Sequence, residues 1–395
     1  MRILFTSPHC LFDPTSGAAR SVTTLLNELA RRGHQVQALT ASVFDVDPRP
    51  IAAMSWRKAN AVAALNVAGQ PTVHVRESKI EGVQHLVMDN GIKALHEWSD
   101  LHAGMLHQFF SRQIADFQPE LVLTYGGSNY NRLVLHDAKA MGAKTAFYLA
   151  HPSYRSAAMF GPVDLFISVS RQLLTRVALP SRSTVLPILP LVDPNGWVAP
   201  KGGAHDHILF VNPEPAKGLS VFAALAVEAA SQYPDWRFLV VESRGLWQHA
   251  LALEPGLAAC KNIEVVPAQR DMQAVYARTR LVLFPSLWWE PSGRVPLEAS
   301  VYGLPTIASA HAGPAEHLAD SGTLISVREA LQADFRARPN KDDIQPWMAV
   351  LESLMEDPQA YAAAQQRCAA LAAKLSPSAV AHAVEQALLA LSCPN

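Results

Sequence analysis

Residues 2–41, RILFTSPHCLFDPTSGAARSVTTLLNELARRGHQVQALTA, decide the fold. The flanking runs, RILFTSP (2–8) and QVQALTA (35–41), are short and apolar, as buried strands are. Between them, SGAARSVTTLLNELARRGH sets Val22, Leu25, Leu26 and Leu29 at helical spacing, which gives a helix one apolar face. Strand, helix, strand is a βαβ unit, and a crossover through a helix joins parallel strands.

The alternation continues outward. Further runs stand at ELVLTY (120–125), KTAFYLA (144–150), DLFISVS (164–170) and STVLPI (183–188). Residues 189–206, LPLVDPNGWVAPKGGAHD, hold three prolines and three glycines without periodicity and read as a linker. The pattern restarts with HILFVN (207–212), RFLVVE (237–242), NIEVVPA (262–268), RLVLFPS (280–286), PTIAS (305–309) and TLISV (323–327), and is helical beyond 340. Near-continuous apolar runs are expected of parallel strands covered on both faces. The predicted class is α/β, with two Rossmann-like doubly wound domains facing each other across a cleft and C-terminal helices. The expected boundaries are 1–190 for the N-terminal, acceptor-side domain, 191–206 for the linker, 207–375 for the C-terminal, nucleotide-sugar-binding domain, and 376–395 for a last helix open to packing back on the first domain.

Composition excludes several classes. With 395 residues, 49 % of them apolar and 17 % charged, the chain has ample material for two cores and none of the signature of disorder. A formal net charge of −1 gives no reason to expect nucleic acid. Residues 1–190 carry +5 and the remainder −6, which suits an N-terminal domain resting peripherally on an anionic membrane but equally suits scattered surface charge. MSWRKANAVAA (54–64) reads as a basic amphipathic patch for such a surface, or as an ordinary surface helix. Cys10, Cys260, Cys368 and Cys393 show no metal-ligand spacing and read as free thiols of a cytoplasmic protein. No apolar run reaches the roughly 18 residues of a membrane span, and the N-terminal run is too short for a signal peptide.

Ligands of open α/β sheets collect outside the carboxyl ends of strands, and there the chemistry-bearing residues lie. After RLVLFPS comes EPSGRVPLEASVYGLP (290–305), with Glu290 and Glu298 eight positions apart. Pro296 is tolerated only in a first helical turn, so a helix is expected to start near Gly293 to Val295, with Glu290 in the preceding loop. Such a start attracts a diphosphate through free N–H groups, Gly293 allows close approach, and a carboxylate accepts hydrogen bonds from vicinal hydroxyls. On spacing alone, Glu290 as a solvated loop residue and Glu298 as a complement to the helix dipole fit equally well. Trp288 and Trp289 fit stacking on a base or sugar, or packing beneath the loop. Asp45-Val46-Asp47 is a DxD, a metal-binding pattern that two tandem doubly wound units argue against.

Glu290 and Glu298 in E-P-S-G-R-V-P-L-E, followed by A-S-V-Y-G-L-P-T-I-A-S, closely resemble the E-x7-E signature of family-4 retaining glycosyltransferases with the GT-B fold. The resemblance is densest over 262–325, extends over 1–41 and 144–220, and fades over 45–118. It implies that Glu290 contacts the transferred sugar and Glu298 the ribose of a nucleotide-sugar donor. Gly17 resembles the family's turn between first strand and first helix, His151 in YLAHPSY a histidine near the donor sugar, and Lys217 in FVNPEPAKGLSVF the lysine that neutralises the diphosphate. The family has Gly-Arg where this chain has Asn212 and Pro213, so an arginine is missing, with Arg294 or Arg244 as stand-ins.

The resemblance therefore implies transfer of a hexose or related sugar from a UDP-, GDP-, ADP- or dTDP-sugar to an acceptor hydroxyl with retention of configuration, in glycan or glycoconjugate biosynthesis. Catalytic roles fall to Glu290, His151 and Lys217, and donor binding to Gly17, Lys217, Ser292, Gly293, Arg294 and Glu298. No metal and no cofactor are expected, the nucleotide sugar being a co-substrate; the acceptor is a glycan, glycolipid, peptide or small molecule. A nucleotide-sugar 2-epimerase of the same fold and a non-catalytic nucleotide-sugar-binding homologue are the alternatives.

Overall fold

The computed structural model describes residues 1–45, 55–192, 205–269 and 271–392. The chain divides into two compact units, Met1–Leu191 with Pro377–Asn395, and Val192–Ser376.

In the first unit, strands β1 (Arg2–His9), β2 (Gln35–Phe44), β3 (Ala61–Leu65), β4 (Val73–Ile80), β5 (Val83–Ala94), β6 (Leu121–Thr124), β7 (Lys144–Leu149), β8 (Leu165–Ser168) and β9 (Thr184–Pro187) form one sheet in the order β3-β4-β5-β2-β1-β6-β7-β8-β9. Pairing is parallel from β5 to β9, whereas β3 and β4 are antiparallel additions at the edge. The helix Gly17–Arg31 buries Val22, Leu25, Leu26 and Leu29 completely. Each such side chain contributes at most about 1.5–3 kcal/mol relative to exposure. The helix Pro377–Ser392 packs on that same helix. Glu385 there accepts from Arg32 (3.1 Å) and pairs with His34 (2.8 Å), and Arg32 also donates to the Ser378 carbonyl (2.6 Å).

In the second unit, β10 (His207–Val211), β11 (Arg237–Val241), β12 (Ile263–Val266), β13 (Thr279–Phe284), β14 (Thr306–Ser309) and β15 (Thr323–Ile325) pair in the order β12-β11-β10-β13-β14-β15, parallel throughout. Helix Leu219–Gln232 buries Val221, Phe222, Leu225 and Ala229 in the core cluster that also holds Phe210, Phe238 and Trp347. Both sheets run outward in both directions from a central pair, β1/β6 in one and β10/β13 in the other, and each such reversal is the switch point at which doubly wound sheets open a crevice.

Two expectations need correction. The stretch read as a surface helix is a 3-10 turn, Ser55–Lys58, followed by strand β3, and Met54 lies outside the described residues. The strands expected of the N-terminal half also omit the antiparallel pair β4 and β5, whose link, Glu81–Gly82, carries φ of 51° and 84° in a two-residue turn. Positive φ at both positions marks a hairpin of the I′ class, but glutamate is a poor signal for it. Of the linker, residues 193–204 lie outside the described residues, as do Val46, Asp47 and Cys393. Among the described residues, no helix is long and apolar enough to cross a membrane.

Candidate functional site

The candidate site is built at the β10/β13 switch point. After β10 the chain turns through Asn212 at φ 67°, a left-handed conformation that asparagine tolerates better than most residues. The Asn212 side chain holds the turn: its amide donates to Glu214 (2.9 Å) and its Oδ1 accepts from the Gly245 N–H (2.7 Å). Asn212 thus supplies a glycine-like backbone where the resemblance expects glycine, and Pro213 supplies no cation. Lys217 ends a 3-10 turn, Pro215–Lys217, and does not itself open the next helix. Gly218 intervenes at φ 87°, where an added Cβ would lie 1.9 Å from the Pro285 carbonyl oxygen.

That close approach locks the turn to the loop after β13. The Ala216 carbonyl accepts from the N–H groups of Leu287 (3.0 Å) and Trp288 (2.9 Å) and from the Ser286 hydroxyl (3.3 Å). Lys217 Nζ thereby reaches Glu290 Oε1 in a hydrogen-bonded ion pair and lies 5.0 Å from the centroid of the Trp288 ring. Ser286 Oγ donates to the same Oε1 at 3.0 Å. No donor among the described residues reaches Glu290 Oε2. Glu290 is only 6 % exposed, so it is not a solvated loop residue. Trp288, read as packing beneath the loop or stacking on ligand, turns its face to Lys217.

The helix expected near Gly293 runs Arg294–Val301, with Gly293 as its N-cap at φ 78° and no side chain capping it. A helix start without a side-chain cap is the kind of place where backbone N–H groups meet an anion. Gly293 has no room for a side chain, because a Cβ would meet Pro314 at 2.8 Å. Ser292 Oγ is buried with no partner among the described residues. Glu298, 5 % exposed, accepts from Arg294 Nε on Oε1 (2.8 Å) and from the Tyr276 hydroxyl on Oε2 (2.8 Å). Arg294 is thus turned toward Glu298 through its Nε.

Behind Ser286 stands His311, whose Nε2 donates to the Ser286 carbonyl (2.8 Å), while its Nδ1 is buried without a partner among the described residues. The next residue, Ala312, sits at φ 56°, and Gly313 donates its N–H to the Glu290 carbonyl (2.9 Å). Sequence reading missed Ser286, His311 and Tyr276. Ser286 was within reach, since it follows the strand run directly; His311 and Tyr276 arrive through tertiary packing alone.

Lys217, Glu290, Ser292, Gly293, Arg294 and Glu298 therefore share one sheet edge. His151 and Gly17 belong to the first unit. His151 is exposed after β7, its Nδ1 accepting from the Ser153 N–H (3.2 Å) and lying 2.8 Å from that hydroxyl, so Nε2 carries the proton. Gly17 opens the helix Gly17–Arg31, but the N–H groups there are not all bare: Ser16 Oγ accepts from Ala19 N at 3.4 Å. Among the described residues, no cluster of three or more His, Cys, Asp or Glu side chains is arranged to hold a metal.

Residues 205–337 match the family model for glycosyl transferases group 1, a span containing all six residues of that edge. No curated protein sequence matches the chain. Among solved structures, sucrose-phosphate synthase from Thermosynechococcus elongatus superposes with a TM-score of 0.71 at 15% identity, covering 99% of both chains. HepE from Anabaena, solved with UDP-glucose, gives 0.67 at 15% identity over 99% of this chain and 100% of its own. WaaG, a glycosyltransferase involved in lipopolysaccharide biosynthesis, gives 0.64 at 14% identity over 98% and 99%. At such identities the likeness is one of fold: the chain has the two Rossmann-like units of the GT-B glycosyltransferases, and its second unit carries the group 1 signature.

Proposed function

We propose that the protein is a glycosyltransferase that moves a hexose or related sugar from a nucleotide-sugar donor to an acceptor hydroxyl with retention of configuration. The observation that carries this reading is Glu290: a nearly buried carboxylate at a switch point, held by Lys217 and Ser286 through one oxygen and beside an uncapped helix start. A carboxylate so held presents its second oxygen to a sugar hydroxyl in one orientation, and orientation is the main thing a transfer site must supply.

The diphosphate would lie against the N–H groups at the start of helix Arg294–Val301, with Ser292 Oγ as a further donor. Lys217 would neutralise the charge that grows on the leaving diphosphate, which is where electrostatic help is largest. Glu298 would take the ribose, exchanging part of its bonding with Arg294 and Tyr276 for the ribose hydroxyls. In the transfer the anomeric carbon–oxygen bond to the diphosphate breaks, the bond to the acceptor oxygen forms on the same face, and the acceptor proton passes to a donor phosphate oxygen. No step calls on a metal. His151 is assigned to positioning the transferred sugar on the strength of the resemblance.

A thermal-shift panel of UDP-, GDP-, ADP- and dTDP-sugars tests the reading, since a ligand of the native state raises its melting temperature. A shift with one nucleotide class and release of that nucleotide on turnover support it; no shift with any of them overturns it. Pro213 in place of a cation favours one rival, a binding protein without transfer, and saturable binding without sugar release would point there.

A further inference from the structure

The first sheet has a switch point of its own, and its polar residues have no role in the donor chemistry above. His9 closes β1, Tyr125 follows β6 directly, and Asp45 follows β2, so three adjacent strands deliver side chains to one carboxyl edge. The rings of His9 and Tyr125 stack, with centroids 5.4 Å and planes 18° apart. His9 Nδ1 lies 3.9 Å from Asp45 Oδ1. Asp13 braces the corner: its Oδ2 accepts the Asp45 N–H (2.8 Å), and its Oδ1 accepts the N–H (2.8 Å) and hydroxyl (2.7 Å) of Thr15.

Tyr125 differs from that brace. It is 5 % exposed, and its hydroxyl has no hydrogen-bond partner among the described residues. Buried phenols ordinarily find one, so an orphan aimed at a corner of carboxylates marks a place where a partner is missing. The local field is negative. Burial first, then Asp45 and Asp13, hold the Tyr125 hydroxyl far above its ordinary range, and burial keeps His9 below the usual histidine range in spite of both aspartates. At neutral pH the corner therefore sets an uncharged imidazole and an uncharged phenol beside the Asp13 and Asp45 side chains.

We propose that His9, Asp45 and Tyr125 form a second ligand site, for the hydroxyl of an uncharged sugar acceptor, and that this site discriminates against acceptors phosphorylated near that hydroxyl. A sugar hydroxyl would donate to Asp45 and accept from Tyr125 Oη, supplying the missing partner. A phosphate would stand against Asp13 and Asp45, and like charge in a water-poor corner is repelled. Asp45, the first member of the DxD pattern, thus receives a role that needs no metal. The identification of the ligand as an acceptor rests on the proposed glycosyl transfer; the site and its charge preference do not.

The test is saturation-transfer NMR with the full chain and four neutral probes, the methyl glycosides of glucose, galactose, mannose and N-acetylglucosamine, alongside glucose 6-phosphate and mannose 6-phosphate. At least one neutral glycoside is expected to bind, neither phosphate is, and Tyr125→Phe and Asp45→Asn should each weaken binding at least fivefold. Tyr125→Phe removes only an unpartnered hydroxyl, so it should melt no lower than wild type, which separates lost binding from lost fold. Binding by no glycoside, binding undiminished in both variants, or a phosphate bound as tightly as its neutral counterpart overturns the proposal. The nucleotide-sugar panel on wild type is scored separately: glycoside binding without any nucleotide shift sinks the transferase reading and leaves this site standing.

Discussion

The two switch points of this chain are built on one plan and filled with different chemistry. At β10/β13, lysine and arginine stand against two glutamates, and backbone clamps set the spacing between the loops. At β1/β6, two aspartates gather with a histidine and a tyrosine whose hydroxyl is orphaned. A site for a constant, doubly charged group profits from cations held ready; a site for a neutral, variable partner needs directional donors and acceptors instead. The group 1 family model spans the first of these arrangements and not the second.

The difference breaks most easily at the clamp. Gly218→Ala would set a Cβ 1.9 Å from the Pro285 carbonyl oxygen at φ 87°, whereas Gly33→Ala in the first unit, at φ 90°, meets nothing within 4 Å. The first should cost about 4 kcal/mol and the second about 1 kcal/mol in denaturant unfolding, because only the first adds a clash to the left-handed backbone. Equal losses would show that the clamp at β10/β13 is no tighter than an ordinary turn.

Next comes acid. His85, 2 % exposed and packed beside Phe12, has its pKa lowered by burial to about 4. A depressed histidine stabilises the fold fully above its ordinary value of 6.5, and that contribution drains away as the pH falls toward 4. The loss should approach about 3 kcal/mol and largely vanish in His85→Gln, read from unfolding midpoints between pH 7 and 4. An unchanged slope in the variant would place the acid sensitivity elsewhere.

For function, Glu290→Ala should lower donor turnover about 100-fold, as loss of one preorganised polar group typically does, while Glu298→Ala should act chiefly on donor KM. Steady-state kinetics that leave both parameters at wild-type values would remove the donor site from this edge. The smallest effect concerns Ala312, a side-chain-bearing residue at φ 56°. Ala312→Gly should raise stability by about 0.5 kcal/mol, relief of strain outweighing the entropy gained by the unfolded chain. A loss of stability would mean that the Ala312 methyl packs better than its backbone suffers.

The parallel strands were legible because burial on both faces makes each one a continuous apolar run, as in RLVLFPS and HILFVN. The antiparallel edge was not, since half its positions face water and its turn uses Glu81 in place of the usual asparagine or aspartate. At the candidate site, Pro296 and Gly293 announced the helix start, and the spacing of Glu290 and Glu298 followed from it. What no local pattern could show is that Lys217 pairs with Glu290, 73 positions away, or that Tyr276 and Arg294 divide the oxygens of Glu298. Those contacts depend on strands meeting side by side, and that information is spread over the whole sheet.

The helix Pro377–Ser392, tied through Glu385 to Arg32 and His34, also sets a timetable for synthesis. Its docking face, on the helix Gly17–Arg31, leaves the ribosome early, but the covering helix is made only after the whole second unit. At typical elongation rates the wait is roughly 20 to 70 s. During that interval the nascent first unit lacks the cover and the polar ties that this helix supplies.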